Sequence, residues 1–291
     1  MKRESKGKQF RESVLTEQPL QIVGVINAYV AMMAAHSGFK ALYLSGAGIA
    51  NSAFGLPDLG MTTLDNVAEE VRRITSAVLT PLLVDIDTGW GSSLMIARSI
   101  KTIEFAGAAA VHIEDQPFIK RCGHRLGKKV VPKEVMVDRI KAALDARTDP
   151  NFVIMARTDA YAIEGHEKTL ERAIAYAEAG ADMLFLEAFT ELKQYADFRQ
   201  HLQVPILANL TEFGQTPLFT LQELASAKID MALYPLSANR AMNLAALKTL
   251  QTIRNHGTQK SLLESMQTRE ELYGFLNYES FEEQLEEEIC Q

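Results

Sequence analysis

The chain has 291 residues, 47% hydrophobic and 23% charged, a balance that buries a sizeable core and excludes wholesale disorder. The formal net charge is −7, but Glu279, Glu282, Glu283, Glu286, Glu287 and Glu288 crowd the last 13 residues with no Lys or Arg among them, so the body is nearly neutral and offers no broad basic face to a nucleic acid. No stretch nears the roughly 20 apolar residues of a membrane span, the first residues are polar and charged, and the two cysteines, Cys122 and Cys290, form no C-x-x-C pair; a soluble protein of the reducing cytoplasm is expected.

Short runs rich in Val, Ile and Leu at 22–26, 41–44, 82–84, 109–113, 152–155, 182–186, 205–208 and 229–233 predict eight strands. Helical periodicity runs between them, as at 92–106, 134–146, 167–179 and 191–202, with Ser, Thr or Asp at several starts and Gly at several ends. Strand and helix in alternation imply a parallel sheet, and eight such units in about 240 residues fit a closed (β/α)8 barrel of the TIM type. The doubly wound alternative lacks a G-x-G-x-x-G after its first strand. The barrel is expected over 1–257, with an N-terminal extension and a helix at about 237–255. A C-terminal helical arm is expected over 258–291, where Leu272, Phe275, Leu276, Phe281, Leu285 and Ile289 make an amphipathic stretch. That arm packs on its own barrel or docks on a neighbouring subunit.

Polar residues stand at or just after most of the strand ends: Asn27, Ser45, Asp85, Glu114, Arg157, Glu187 and Asn209. In a barrel these converge on the C-terminal mouth, where the chemistry of such folds is carried out. Asp85 and Asp87 share a face if their strand continues through both, and such paired carboxylates suit a hard cation, Mg2+ or Mn2+; the same pair also fits a turn before Gly89 and Gly91. Glu114 and Asp115 would add oxygens. Arg157 and Arg240 can each fork onto a carboxylate or join a structural ion pair, the turn Ser45-Gly46-Ala47-Gly48 offers N–H groups to an anion, and His112, inside a strand, reads as packed and hydrogen-bonded.

Lys120-Arg121-Cys122-Gly123-His124-Arg125 surrounds a thiol with cations, in a segment at 115–131 without regular periodicity that reads as a mobile lid. A metal, several carboxylate-binding groups and a thiol describe a site for a small polycarboxylate whose bond breaks to leave an enolate.

The strings Lys120 to His124, Ser45-Gly46, Asp85-x-Asp87, His112-Ile113-Glu114-Asp115, Met155 to Asp159 and Asn209 to Glu212 resemble the isocitrate lyase and phosphoenolpyruvate mutase superfamily over about 10–285. The resemblance is closest to the bacterial branch that cleaves 2-methylisocitrate to pyruvate and succinate in the methylcitrate cycle of propionate breakdown. It implies Asp85 as a direct Mg2+ ligand and Asp87 as a second metal residue, with Asp58 and Glu114 acting through water. It implies that substrate is held by Ser45, Gly46, Ala47, Gly123, Arg157, Glu187, Asn209, Leu210, Thr211, Arg240 and Arg269, and that Phe185, Leu233 and Pro235 receive the methyl group. Cys122 would protonate the succinate carbanion and Tyr43 would handle the hydroxyl proton. A homotetramer with exchanged C-terminal helices is implied as well. Two departures from the family pattern lie near the site, Ala47 for a frequent Gly and Trp90 for a usual Phe. Rival readings are an isocitrate-cleaving, oxaloacetate-cleaving or C–P bond enzyme of the same superfamily, and a non-catalytic barrel that binds carboxylates.

Overall fold

The computed structural model describes residues 5–121, 123 and 127–289. Cys122, His124 and Arg125 therefore lie outside the described residues. The chain falls into two compact units, Met1–Ser237 and Ala238–Gln291. The first unit ends on the first residue of the long helix after the eighth strand.

In the first unit, β1 (Leu20–Gly24), β2 (Ala41–Leu44), β3 (Leu82–Asp85), β4 (Ala110–Glu114), β5 (Val153–Thr158), β6 (Met183–Leu186), β7 (Ile206–Asn209) and β8 (Met231–Tyr234) pair in sequence order, all parallel. β8 pairs back with β1, with Leu20 opposite Met231, and this closes the (β/α)8 barrel. The principal intervening helices are α2 (Ala28–His36), α3 (Gly46–Phe54), α4 (Leu64–Ala77), α5 (Ser93–Phe105), α6 (Lys133–Ala146), α7 (Tyr161–Glu178), α8 (Leu192–Arg199) and α9 (Leu221–Ser226). Gly165, at φ 79° and ψ −173°, breaks the first turn of α7 from the longer stretch that the periodicity at 167–179 predicts. β1 begins two residues earlier than the run 22–26, because Leu20 N–H donates to Asp230 O at 2.8 Å and enters the pairing with β8.

Successive strand residues point to opposite faces, so one residue in two faces the barrel interior. The inward set forms one cluster: Leu20 and Ile22, Ala41 and Tyr43, Leu83, Ala110, Val153 and Met155, Met183 and Phe185, Leu207, Met231 and Leu233. The interior is a packed core and not a pore.

The polar first residues conceal α1 (Lys6–Thr16), capped by Ser5, whose hydroxyl accepts from Lys8 N–H at 3.0 Å. Its buried residues Gly7, Phe10 and Val14 follow helical spacing, and Phe10 and Val14 join the barrel cluster beside Leu20 and Ile22. Gly7 permits the approach, since a Cβ there would lie 2.3 Å from Asn151 O. Phe10 has no exposed surface. Phe10→Ala is therefore expected to cost about 3–5 kcal/mol of stability in urea unfolding, the range for emptying an aromatic core site.

The second unit holds most of α10 (Ser237–His256), a 3-10 turn (Lys260–Ser265), α11 (Arg269–Leu276) and α12 (Tyr278–Ile289). Thr268 and Glu271 form a capping box at the start of α11. Asn277, at φ 52°, turns the chain into α12, and Tyr273 stacks on Tyr278 at 4.3 Å. Leu244, Leu247 and Leu250 of α10 and Phe281, Leu285 and Ile289 of α12 are exposed. No helix among the described residues is long and apolar enough to cross a membrane.

Candidate active site

The inward alternation continues one step beyond the apolar layers and there turns polar. Leu83 is followed two residues on by Asp85, Ala110 by His112 and Glu114, Met155 by Arg157, Phe185 by Glu187 and Leu207 by Asn209. All of these polar side chains are buried. Register places Asp85 opposite His112 and Glu114 opposite Arg157, so acid and base alternate around the mouth.

Asp85 accepts three hydrogen bonds at the end of β3. Its Oδ2 accepts from Gly46 N–H at 3.1 Å and from the Tyr43 hydroxyl at 3.4 Å, and its Oδ1 accepts from Asp87 N–H at 3.0 Å. Burial opposes its ionisation, but the charges of His112, where it is protonated, and of Lys120 and Arg157 outweigh that and hold it at about 2. β3 ends at Asp85, so the strand does not continue through both carboxylates and the turn before Gly89 and Gly91, the other reading of the pair, is the one observed. That turn, closed by Gly89 N–H to Ile86 O, with Asp87 at φ 49°, brings Asp87 round to the same spot. Both carboxylates converge in front of Gly46, where a Cβ would stand 3.1 Å from Asp85 Oδ2 and 3.3 Å from Asp87 Oδ1.

Lys120 reaches into this spot, its ammonium 2.6 Å from both Asp58 Oδ1 and Asp87 Oδ1. Burial pushes Asp87 up to about 6, with the neighbouring Asp85 adding to the rise. Glu114 is raised well above the carboxylate range by burial, and its Oε1 is buried without a hydrogen-bond partner among the described residues. The set fits a hard cation: convergent oxygens, one of them orphaned, and a lysine drawn in by their charge. Among the described residues no group of three or more His, Cys, Asp or Glu closes on a single metal point.

On the opposite side, Arg157 lies among three carboxylates, with Nε 3.3 Å from Glu114 and 2.9 Å from Asp159, and Nη2 2.9 Å from Glu187. Its guanidinium covers the Phe185 ring at 4.8 Å. Asn209 donates to both Glu187 oxygens at 3.3 Å. Tyr43 and His112 stack between the two halves, the tyrosine hydroxyl 2.9 Å from Nε2. Burial raises Tyr43 well above the usual phenol value and lowers His112 to about 4, so both are neutral.

Ten of the residues singled out in the sequence therefore meet at one mouth: Tyr43, Gly46, Asp58, Asp85, Asp87, Glu114, Arg157, Phe185, Glu187 and Asn209. Ser45 caps α3, accepting from Gly48 N–H at 3.2 Å, with Ala47 in the same first turn. Leu210 and Thr211 are buried just past β7, and Leu210 N–H bonds to Leu233 O at 2.8 Å. Pro235 lies against Gly24, whose Cβ would stand 1.7 Å from Pro235 O. Trp90 donates to Thr62 O at 2.9 Å. Asn27 caps α2 by accepting from Val30 N–H at 2.9 Å. Arg240 and Arg269 belong to the second unit. Gly123, next to the undescribed Cys122, is buried against Arg157 and Glu187. His112 is packed and hydrogen-bonded as its strand position implies, yet its partner is Tyr43. The sequence reading did not foresee the buried positions of Lys120, Lys128 and Asp159; the charge of the segment flags the lysines but their burial does not show.

A ring of buried carboxylates and cations at the C-terminal mouth of a parallel barrel defines an enzyme that works on a small anion. Residues 10–254 match the phosphoenolpyruvate phosphomutase family, and the chain belongs to it. It is 59% identical over 288 residues, 99% of each chain, to the 2-methylisocitrate lyase of Shewanella oneidensis. Oxaloacetate acetylhydrolase in complex with 3,3-difluorooxalacetate has a similar structure, with a TM-score of 0.90 and 32% identity over 96% of this chain and 95% of that one. Phosphonopyruvate hydrolase in complex with oxalate and Mg2+ is similar at a TM-score of 0.84 and 26% identity, over 96% and 97% of the two chains.

Proposed function

We propose that the chain is a Mg2+-dependent carbon–carbon lyase that cleaves 2-methylisocitrate to pyruvate and succinate, within propionate breakdown in the cytoplasm. The observation that carries this reading is the meeting of Asp85, Asp87 and Glu114 with Arg157 and Asn209 at one buried mouth. Full-length likeness to a 2-methylisocitrate lyase supports the choice of substrate.

Asp85 would ligate the metal directly with Asp87 beside it, while Asp58 and Glu114 would act through water. Bound there, Mg2+ or Mn2+ supplies positive charge to the oxygen that becomes the 2-oxo group. Arg157, Asn209 and the start of α3 with Ser45, Gly46 and Ala47 would hold the substrate carboxylates, helped by Gly123, Glu187, Leu210 and Thr211. Phe185, buried under Arg157 and edge-on to His112 at 5.1 Å, would receive the methyl group with Leu233 and Pro235. Tyr43, neutral and hydrogen-bonded to His112, would take the proton of the substrate hydroxyl while passing its own to His112 Nε2, 2.9 Å away. As that proton leaves, the C2–C3 bond breaks. Its electron pair passes to C3, giving pyruvate and the succinate carbanion, which takes a proton from the Cys122 thiol. The second unit, with Arg240 and Arg269, would complete the assembly as an arm exchanged in a homotetramer, in keeping with its exposed apolar helix residues.

The test is pyruvate release from 2-methylisocitrate with Mg2+ beside glyoxylate release from isocitrate, for wild type and Cys122→Ser. Fast pyruvate release, reduced at least about 10³-fold in the variant because a hydroxyl is a far weaker acid than a thiol, is the expected result. Dominant glyoxylate release would overturn the methyl-pocket assignment, and absence of both products would overturn the lyase reading.

A further inference from the structure

Asp159 lies one step behind the reacting centre, with no exposed surface. Its Oδ2 accepts from Arg157 Nε at 2.9 Å, and its Oδ1 accepts from Arg157 Nη2 at 3.3 Å and from Lys128 Nζ at 2.9 Å. Lys128 is itself buried, its side chain 2% exposed. It sits on the returning limb of the connection between β4 and α6. That limb is held to the barrel at its end, where Val131 N–H bonds to Asp115 O at 2.8 Å and Arg172 donates to Val131 O at 2.9 Å. Asp115 also receives Asp159 N–H at 2.9 Å, the Thr158 hydroxyl at 2.7 Å and the Tyr176 hydroxyl at 2.9 Å. Asp159 is thereby fixed from below, and its carboxylate is shared between a site arginine and a lysine of the connection.

Charge gives this arrangement its purpose. Arg157 faces Asp159 and Glu187, two carboxylates against one guanidinium, with Glu114, whose ionisation burial opposes, on a third side. Lys128 takes up part of the Asp159 charge, so that Arg157 keeps attraction for an incoming carboxylate. We propose that Lys128 and Asp159 are positioning residues, a buried pair that aims the Arg157 guanidinium and ties its orientation to the returning limb of the β4–α6 connection. The substrate-binding half of this inference rests on the lyase reading; the anchoring half does not.

Two readouts separate them. Hydrogen–deuterium exchange over 127–131 is expected to speed up markedly in both Lys128→Met and Asp159→Asn, and to return towards wild type in Lys128→Arg. In steady-state kinetics with 2-methylisocitrate, Lys128→Met is expected to raise KM on the order of tenfold or more, as deletion of one charge in a buried cluster should, with a smaller change in kcat, and Lys128→Arg to recover most of it. Lys128→Gln, which keeps donors and loses only the charge, serves if Lys128→Met does not fold. Unchanged exchange in both single variants overturns the anchor. An unchanged KM, or a loss of kcat alone, overturns the aiming of Arg157. A wild type that releases no pyruvate but shows the expected exchange differences sinks the lyase reading and supports the anchor.

Discussion

Asp85→Asn is expected to lower turnover of 2-methylisocitrate by at least about 10³-fold and to abolish tight Mn2+ binding measured by calorimetry or electron paramagnetic resonance. The substitution keeps the shape of the side chain and removes its charge. Asp85 is held ionised, at about 2, although it is buried, because the charges of His112, where it is protonated, and of Lys120 and Arg157 outweigh the burial, and Lys120 and Arg157 keep theirs where His112 is neutral. Two backbone N–H groups, of Gly46 and Asp87, point at its two oxygens, so the geometry already favours an anion. A carboxamide satisfies only one of those donors and presents its own N–H2 to the other, and it ligates a hard cation poorly. A bound metal contributes several kcal/mol to the stabilisation of a developing oxyanion, and about 4 kcal/mol corresponds to about 10³-fold in rate. Turnover above a tenth of wild type would show that the metal sits elsewhere or is not needed.

How much of this site is legible in the sequence depends on periodicity. Asp85, Glu114, Arg157 and Asn209 each close an apolar run, and a period of two carries them inward once the strands are parallel and closed, so their convergence follows from pattern alone. Asp87 is less direct. Its position depends on a left-handed residue and a turn, and the two-residue spacing fits a strand face and a turn alike. Lys120 and Lys128 sit in a stretch with no period at all, where burial is set by distant carboxylates, Asp58 and Asp87 for one and Asp159 for the other. Nothing local distinguishes them from Arg121 or Lys129, which join none of the site's ion pairs among the described residues. Phe10 shows a weaker signal overlooked: in a polar segment, Gly7, Phe10 and Val14 alone mark the buried stripe, and one aromatic at helical spacing is easily outweighed by its charged neighbours. The roles of Cys122 and Tyr43 come from resemblance, because no spacing distinguishes an acid from a bystander.

Gly123→Ala is expected to lower kcat/KM by about 10²-fold while leaving the thermal unfolding midpoint nearly unchanged. Gly123 is buried, and a Cβ there would stand 2.3 Å from Arg157 Nη2, 2.7 Å from Glu187 Oε2 and 2.8 Å from Glu187 Cγ, where ordinary contact begins at 3.4 Å. Its backbone is not in the left-handed region, so the glycine is needed for close approach and not for conformational freedom. Arg157 cannot yield cheaply, since its guanidinium is fixed by Glu114, Asp159 and Glu187 at once. The alanine must then hold its segment, with the neighbouring Cys122, about 1 Å farther from the substrate-binding arginine, and a misplacement of that size costs about 10²-fold in rate. Stability should barely change, because Gly123 itself lies in no helix or strand and meets only side chains at the mouth, outside the barrel's apolar core. A variant with wild-type kcat/KM would mean that catalysis does not require residue 123 to approach Arg157 so closely. A large fall in the unfolding midpoint would instead make this contact part of what holds the fold together.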